Sequence, residues 1–157
     1  MARKFKVATA AGTFDHFHKG HKQFLLAAFD AADTVYIGIT NDEFAKAKRL
    51  IKDLVSFADR KKDVENFLEN RGLLQRAQII ELKDIYGPTL DKSCPIEAII
   101  ITEKTRYGAE LINKLRDKKG LPTLAIEEIS SIPAGDGGDL SSSRIRTGEI
   151  DREGNTV

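Results

Sequence analysis

The sequence predicts an α/β fold, a five-stranded parallel sheet with helices packed against it, and three observations lead there. Short apolar runs alternate along the chain with longer segments whose apolar residues recur at helix spacing. Glycine and proline stand between them: Gly72 and Gly120-Leu121-Pro122 each follow a helical stretch, and Pro95 precedes a strand. Ile99-Ile100-Ile101 is apolar without alternation, which marks a strand buried on both faces and therefore central in a parallel sheet.

The first strand is Phe5-Lys6-Val7-Ala8-Thr9-Ala10, and the helix after it carries Phe24, Leu25, Ala28 and Ala32 at helical spacing. Residues 34–40, rich in β-branched side chains, form the second strand. A charged segment covers residues 41–53. Ser56 then caps a helix whose Phe57, Val64, Phe67 and Leu68 share one face and which stops at Gly72. Residues 77–82 make the third strand and 96–102 the fourth. Residues 105–119 are helical, with Tyr107, Leu111, Ile112 and Leu115 expected inward, and residues 123–129 are the fifth strand. Strands alternating with helices imply βαβ units.

A chain of 157 residues suits one domain over residues 1–157, with no Pro/Gly/Ser-rich linker to divide it. Twenty-five basic against 24 acidic residues, without long single-sign blocks, make no electrostatic case for nucleic acid or a membrane surface. A homo-oligomer stays open. One cysteine, Cys94, cannot staple the fold, which fits a reducing cytoplasm. The basic N-terminus leads into a run broken by Lys6 and Thr9, a strand rather than a signal peptide, and no stretch is long enough to span a bilayer.

The chemistry concentrates in Gly12-Thr13-Phe14-Asp15-His16-Phe17-His18-Lys19-Gly20-His21, a turn between the first strand and the first helix. Such a turn lies at the carboxyl edge of a sheet, where unpaired N–H groups of a helix N-terminus favour an anion. All three histidines of the chain lie here; His18 and His21, three apart, can bring both rings to that anion, and Gly20 leaves room for it. Zinc is the weaker reading, because two imidazoles make a poor site and no H-E-x-x-H frame is present. Asp15 is expected to fix the turn by accepting from backbone N–H groups.

Near the end, Gly135-Asp136-Gly137-Gly138-Asp139 leads into Leu140-Ser141-Ser142-Ser143-Arg144-Ile145-Arg146. A serine there can cap a short helix, the other hydroxyls can meet phosphate oxygens, and Arg144 and Arg146 add charge-assisted donors suited to a triphosphate. A plain serine-capped helix with solvated arginines is the alternative.

Gly-Thr-Phe-Asp followed by His-x-Gly-His resembles the signature of the nucleotidylyltransferase superfamily, and the serine-arginine segment resembles its I-S-S-T-[KR]-I-R element. Residues 40–45, Asp84-Ile85-Tyr86-Gly87-Pro88-Thr89, Thr102-Glu103-Lys104-Thr105 with Gly108, and Ile112-Asn113 ahead of Arg116 are similar to the archaeal-type phosphopantetheine adenylyltransferases. Ala11-Gly12 stands where that family more often has Gly-Gly, and Thr102-Glu103-Lys104-Thr105 where Ser-Glu-Glu-Thr is usual.

The resemblance implies a Rossmann-like doubly wound sheet with helices on both faces, and AMP transfer from ATP to 4′-phosphopantetheine. Mg²⁺ would be carried with ATP rather than held by a protein metal site. It implies catalytic roles for His18, His21, Lys48 and Arg144. ATP would be bound by Gly12, Thr13, Phe14, Gly20, His21, Ser141, Ser142, Ser143 and Arg146, and the acceptor by Thr13, Thr105 and one of Lys46 and Lys48. Gly108 and Asn113 would lie near the pantetheine arm or the nucleotide. Arg60 reads as a structural ion pair. Related enzymes acting on FMN, nicotinamide mononucleotide or glycerol phosphate share both motifs, as would a non-catalytic nucleotide-binding regulator.

Overall fold

The computed structural model describes residues 3–48 and 54–129, Lys48 by its backbone only. Within these described residues five strands, β1 (Phe5–Gly12), β2 (Ala32–Thr40), β3 (Ala77–Leu82), β4 (Ala98–Ile101) and β5 (Ala125–Glu128), form one sheet in the order β3-β2-β1-β4-β5. Every neighbouring pair is parallel. The order runs outward from β1 through β2 to β3, then resumes on its other side with β4 and β5, so the topological switch lies between β1 and β4. In open parallel sheets ligands bind at the carboxyl ends beside that switch.

Among the described residues four α-helices accompany the strands: α1 (Lys19–Ala31), α2 (Asp42–Lys48), α3 (Phe57–Asn70) and α4 (Arg106–Lys118). Strand alternation divides the apolar residues between the two faces of the sheet. On one face Ala8, Ala10, Val35, Ile37, Ala98 and Ile100 pack with Leu25, Ala28 and Phe29 of α1 and Val64 and Leu68 of α3. On the other, Ile99 and Ile101 join Ala109 and Ile112 of α4, with Val7 and Tyr36 against them. The isoleucine run of β4 thus feeds both cores, the physical basis of its central place.

Local signals set the helix ends. Ser56 caps α3 by accepting from the Asp59 N–H. Gly72, at φ 70°, closes the other end in the left-handed region while the Leu73 N–H reaches back to the Leu68 carbonyl at 2.9 Å. Gly120 closes α4 likewise, with Leu121 N–H bonded to Arg116 at 2.9 Å. No described helix is long and apolar enough to cross a membrane.

Several expectations are corrected. β1 runs on to Gly12, whose register partner is Ile39, so the motif begins on the sheet itself. β4 and β5 are shorter than residues 96–102 and 123–129, since each pairs only over four positions. Residues 42–48 of the charged segment are helical. Tyr107 does not face inward. It is 78% exposed, and at about 100° per residue it stands nearly opposite the buried Ala109, Ile112 and Arg116.

The two sides of α4 should separate in unfolding experiments. Tyr107→Ser is expected to change stability by no more than about 0.5 kcal/mol, and Ile112→Ala to cost about 2–5 kcal/mol; urea denaturation with an unchanged m-value measures both.

Candidate active site

The turn from β1 into α1 holds two non-glycine residues in the left-handed region, Phe14 at φ 54° and His16 at φ 48°. Such conformations cost of order 1–3 kcal/mol each and persist where surroundings over-determine them. Here the Phe14 ring is buried, edge-on to His21 at 5.3 Å and tilted against Phe17 at 6.4 Å. The buried Asp15 carboxylate accepts from the Val55 N–H at 2.9 Å and lies 3.7 Å from His16 Nε2. Asp15 therefore does bind a backbone N–H, but one 40 residues further along.

His18 is the N-cap of α1. Its Nδ1 accepts from the N–H groups of Gly20 (3.1 Å) and His21 (3.4 Å), and His21 Nδ1 accepts from the His18 N–H at 3.2 Å. The helix N–H groups expected to greet an anion directly are thus partly occupied by a histidine. A neutral imidazole that accepts at Nδ1 carries its proton on Nε2. Each ring is consequently a donor at Nε2 and cannot act there as a base. The two rings stack 3.7 Å apart, and Phe17 lies on the other side of His21 at 5.6 Å. Burial first, then the positive charge that His18 would carry, hold the His21 imidazole well below its ordinary pKa.

Beside the turn, Arg60 reaches out of α3 with no exposed surface. Its Nε donates to the Val55 carbonyl (2.8 Å), Nη1 to the carbonyls of Thr13 (2.8 Å) and Thr40 (2.7 Å), and Nη2 to Asp42 Oδ1 (2.8 Å). The same Asp42 oxygen takes the Phe57 N–H at 2.9 Å. The expected ion pair of Arg60 is the one with Asp42. The carbonyl contacts were invisible to sequence reasoning, as was Thr40, whose hydroxyl donates to Thr13 Oγ1 at 3.1 Å. A threonine ending a β-branched run carries no local signal of such a partner.

Most of the other described candidates follow strand ends on this edge, whereas Asn113 and Arg116, bonded to Leu124 and Pro122 ahead of β5, lie toward the opposite edge. Gly12 ends β1, where a Cβ would stand 3.4 Å from the Phe14 ring. Gly20 and His21 lie in the first turn of α1. Phe14, expected to bind ATP, is buried as a whole residue, with its ring against His21 and Phe17. Lys46 is exposed on α2, and Lys48 is the last residue of that helix. Thr105 follows β4, its hydroxyl bonded to the Thr102 carbonyl. Gly108 is in the first turn of α4, and nothing lies within 4 Å of where its Cβ would stand. Asn113 uses both ends of its amide on the Leu124 backbone, at 2.8 and 2.9 Å, which ties α4 to the approach of β5. Arg116 is buried and bonds the carbonyls of Pro122 and Thr89. Ser141, Ser142, Ser143, Arg144 and Arg146 lie outside the described residues. No group of three His, Cys, Asp or Glu able to hold a metal occurs among the described residues.

A model of the cytidylyltransferase-like family matches residues 9–148. The phosphopantetheine adenylyltransferase of Methanopyrus kandleri is 38% identical over 148 residues, covering 94% of this chain and 92% of that one. That of Pyrococcus abyssi is 39% identical over 154 residues, covering 98% and 97%. Among solved structures, an Archaeoglobus fulgidus protein described as of unknown function is similar with a TM-score of 0.71 at 27% identity, over 87% of this chain and 99% of that one. A lipopolysaccharide core biosynthesis protein from Thermoplasma volcanium shares the fold, with a TM-score of 0.63 at 18% identity over 80% and 96%.

The low His21 pKa makes a pH-dependent contribution to stability. The folded protein keeps the ring neutral while the unfolded chain takes up a proton near about pH 6.5. Folding is therefore unaffected by this residue above that pH and weakened as pH falls below it. Denaturation midpoints measured from pH 8 to 5 should decline on the acid side, and less steeply in His21→Asn.

Proposed function

The chain belongs to the cytidylyltransferase-like family, in its phosphopantetheine adenylyltransferase branch, and from that premise we infer the reaction and the part each residue takes. The protein transfers AMP from ATP to 4′-phosphopantetheine, giving dephospho-coenzyme A and pyrophosphate. One observation on the site carries the mechanism: the reciprocal capping of His18 and His21, in which each Nδ1 accepts a backbone N–H and each Nε2 therefore carries the ring proton.

Two donor-only histidines suit a nucleophile that needs no base. A phosphate monoester is largely dianionic near neutral pH, its second pKa being about 6. An oxygen of the acceptor phosphate attacks the α-phosphorus in line, the bond from that phosphorus to the bridging oxygen breaks, and pyrophosphate leaves with the electron pair. The site has to align the reactants and stabilise charge on the α-phosphate and the leaving group. In this reading His21 Nε2–H meets the α-phosphate and His18 the neighbouring phosphate oxygens. The depressed pKa of His21 keeps that ring a neutral donor through the working pH range.

Thr13, with Lys46 or Lys48 from the helix after β2, binds the acceptor phosphate, and Thr105 lies toward the acceptor's arm. Ser141, Ser142, Ser143, Arg144 and Arg146 supply further donors to the triphosphate. Mg²⁺ arriving with ATP would be held by phosphate oxygens and water, and when bound it neutralises phosphate charge.

Two outcomes test the reading. With Mg·ATP and a panel of acceptors, pyrophosphate should appear with 4′-phosphopantetheine and not with pantetheine, whose hydroxyl would need a base the histidines cannot supply. His21→Ala should lower kcat by about 10²–10³ and change ATP affinity far less, as expected for losing one preorganised donor to developing charge. Turnover close to normal in that variant would remove His21 from the mechanism.

A further inference from the structure

Thr40 ends β2 and is 2% exposed. Valine has nearly its shape and would satisfy the packing of a buried parallel strand, so the hydroxyl has to be explained by its partners. Gly12 and Ile39 are in register, which sets Thr13 and Thr40 side by side at the carboxyl edge. The Thr40 hydroxyl lies 3.1 Å from Thr13 Oγ1 and 3.4 Å from Arg60 Nη1.

A hydroxyl has one proton and two lone pairs, whereas a guanidinium only donates. Facing the buried Arg60 cation, Thr40 Oγ1 turns its lone pairs inward and its proton toward Thr13. Thr13 Oγ1 accepts that proton, and its own proton is then the group it can present on its half-exposed side. Arg60 also holds the Thr13 and Thr40 carbonyls, at 2.8 and 2.7 Å, so the backbone beneath both hydroxyls is fixed. The two Nη1 protons go first to those carbonyls, so the 3.4 Å contact with Thr40 Oγ1 is a shared, longer one; the cation's field still opposes a Thr40 proton turned toward it and so polarises the hydroxyl pair toward Thr13.

We propose that Thr40 is a positioning residue for the transfer: backed by Arg60, its hydroxyl orients the Thr13 hydroxyl as a donor to the acceptor's phosphate. This rests on the reaction inferred above and adds to it a determinant of acceptor binding that touches no substrate. It also separates two demands on the edge. Thr40 serves the acceptor, while the histidine pair serves ATP.

The test is steady-state kinetics of wild type, Thr40→Val, Thr40→Ser, Thr13→Val and the Thr40/Thr13 double valine variant, with Mg·ATP and 4′-phosphopantetheine. Thr40→Val should raise KM for the acceptor about tenfold, the scale of one hydrogen bond, and leave KM for ATP within about twofold. Thr40→Ser should restore the acceptor KM to within about twofold. With the Thr13 hydroxyl already gone, removing that of Thr40 should add nothing. Thr40→Cys keeps a side-chain atom in place with only a weak donor and should show the same acceptor-specific rise, which covers the case in which the valine variant folds poorly.

An unchanged acceptor KM in both Val and Cys variants, equal losses toward ATP and acceptor, or additive effects in the double variant would each overturn the role of Thr40. Wild type without turnover on phosphopantetheine would instead overturn the reaction assignment, and this inference with it.

Discussion

The site edge depends on one buried cation. Arg60 contributes no exposed surface, yet its guanidinium is satisfied by the carbonyls of Thr13, Thr40 and Val55 and by the Asp42 carboxylate. A buried charge is tolerated only when its hydrogen-bonding capacity is met, and its removal leaves the partners stranded in a low dielectric. Because those partners come from the turn after β1, the end of β2, the start of α2 and the approach to α3, a single side chain sets the relative positions of four segments. The planar fork explains why arginine occupies this place: several oxygens approach it from fixed directions at once, which an ammonium could not match.

On that support rests a turn that local preferences alone would disfavour. Phe14 and His16 are left-handed without being glycine. The buried Phe14 ring, the rings of Phe17 and His21 around it, and the Asp15 bond to Val55 hold the conformation. The His18 and His21 caps then close the helix start and fix the two tautomers together. Rigidity and chemistry are linked here, since the bonds that order the rings are also the ones that place a proton on each Nε2.

The sheet makes this arrangement possible by placing the turns after β1, β2 and β4 along one edge, with the switch between β1 and β4. Its two cores brace that edge from both sides, α1 and α3 on one face and α4 on the other. Arg116 and Asn113 show the same economy on the α4 side. Side chains that look available for ligands in the sequence instead satisfy the backbone carbonyls of Thr89, Pro122 and Leu124 and the Leu124 N–H.

The sequence by itself determined the number of strands and their places along the chain, the Ser56 and Gly72 limits of α3, the double burial of β4 and the place of the histidine turn. Each of these is written in neighbouring residues: periodicity, a cap, a glycine, an uninterrupted apolar run. Tertiary structure alone decided what those residues do to one another. Thr13 and Thr40 are 27 residues apart and meet only because β1 and β2 pair in parallel with Gly12 opposite Ile39. Arg60 and the Thr13 carbonyl are separated by 47 positions and are joined by the packing of α3 against the sheet. Tyr107 looked inward because it belongs to an apolar set at helical spacing, but the side of α4 that the sheet covers is the one with Ala109, Ile112 and Arg116. Spacing along a helix says which residues share a face, and only the neighbour it packs against says which face is buried.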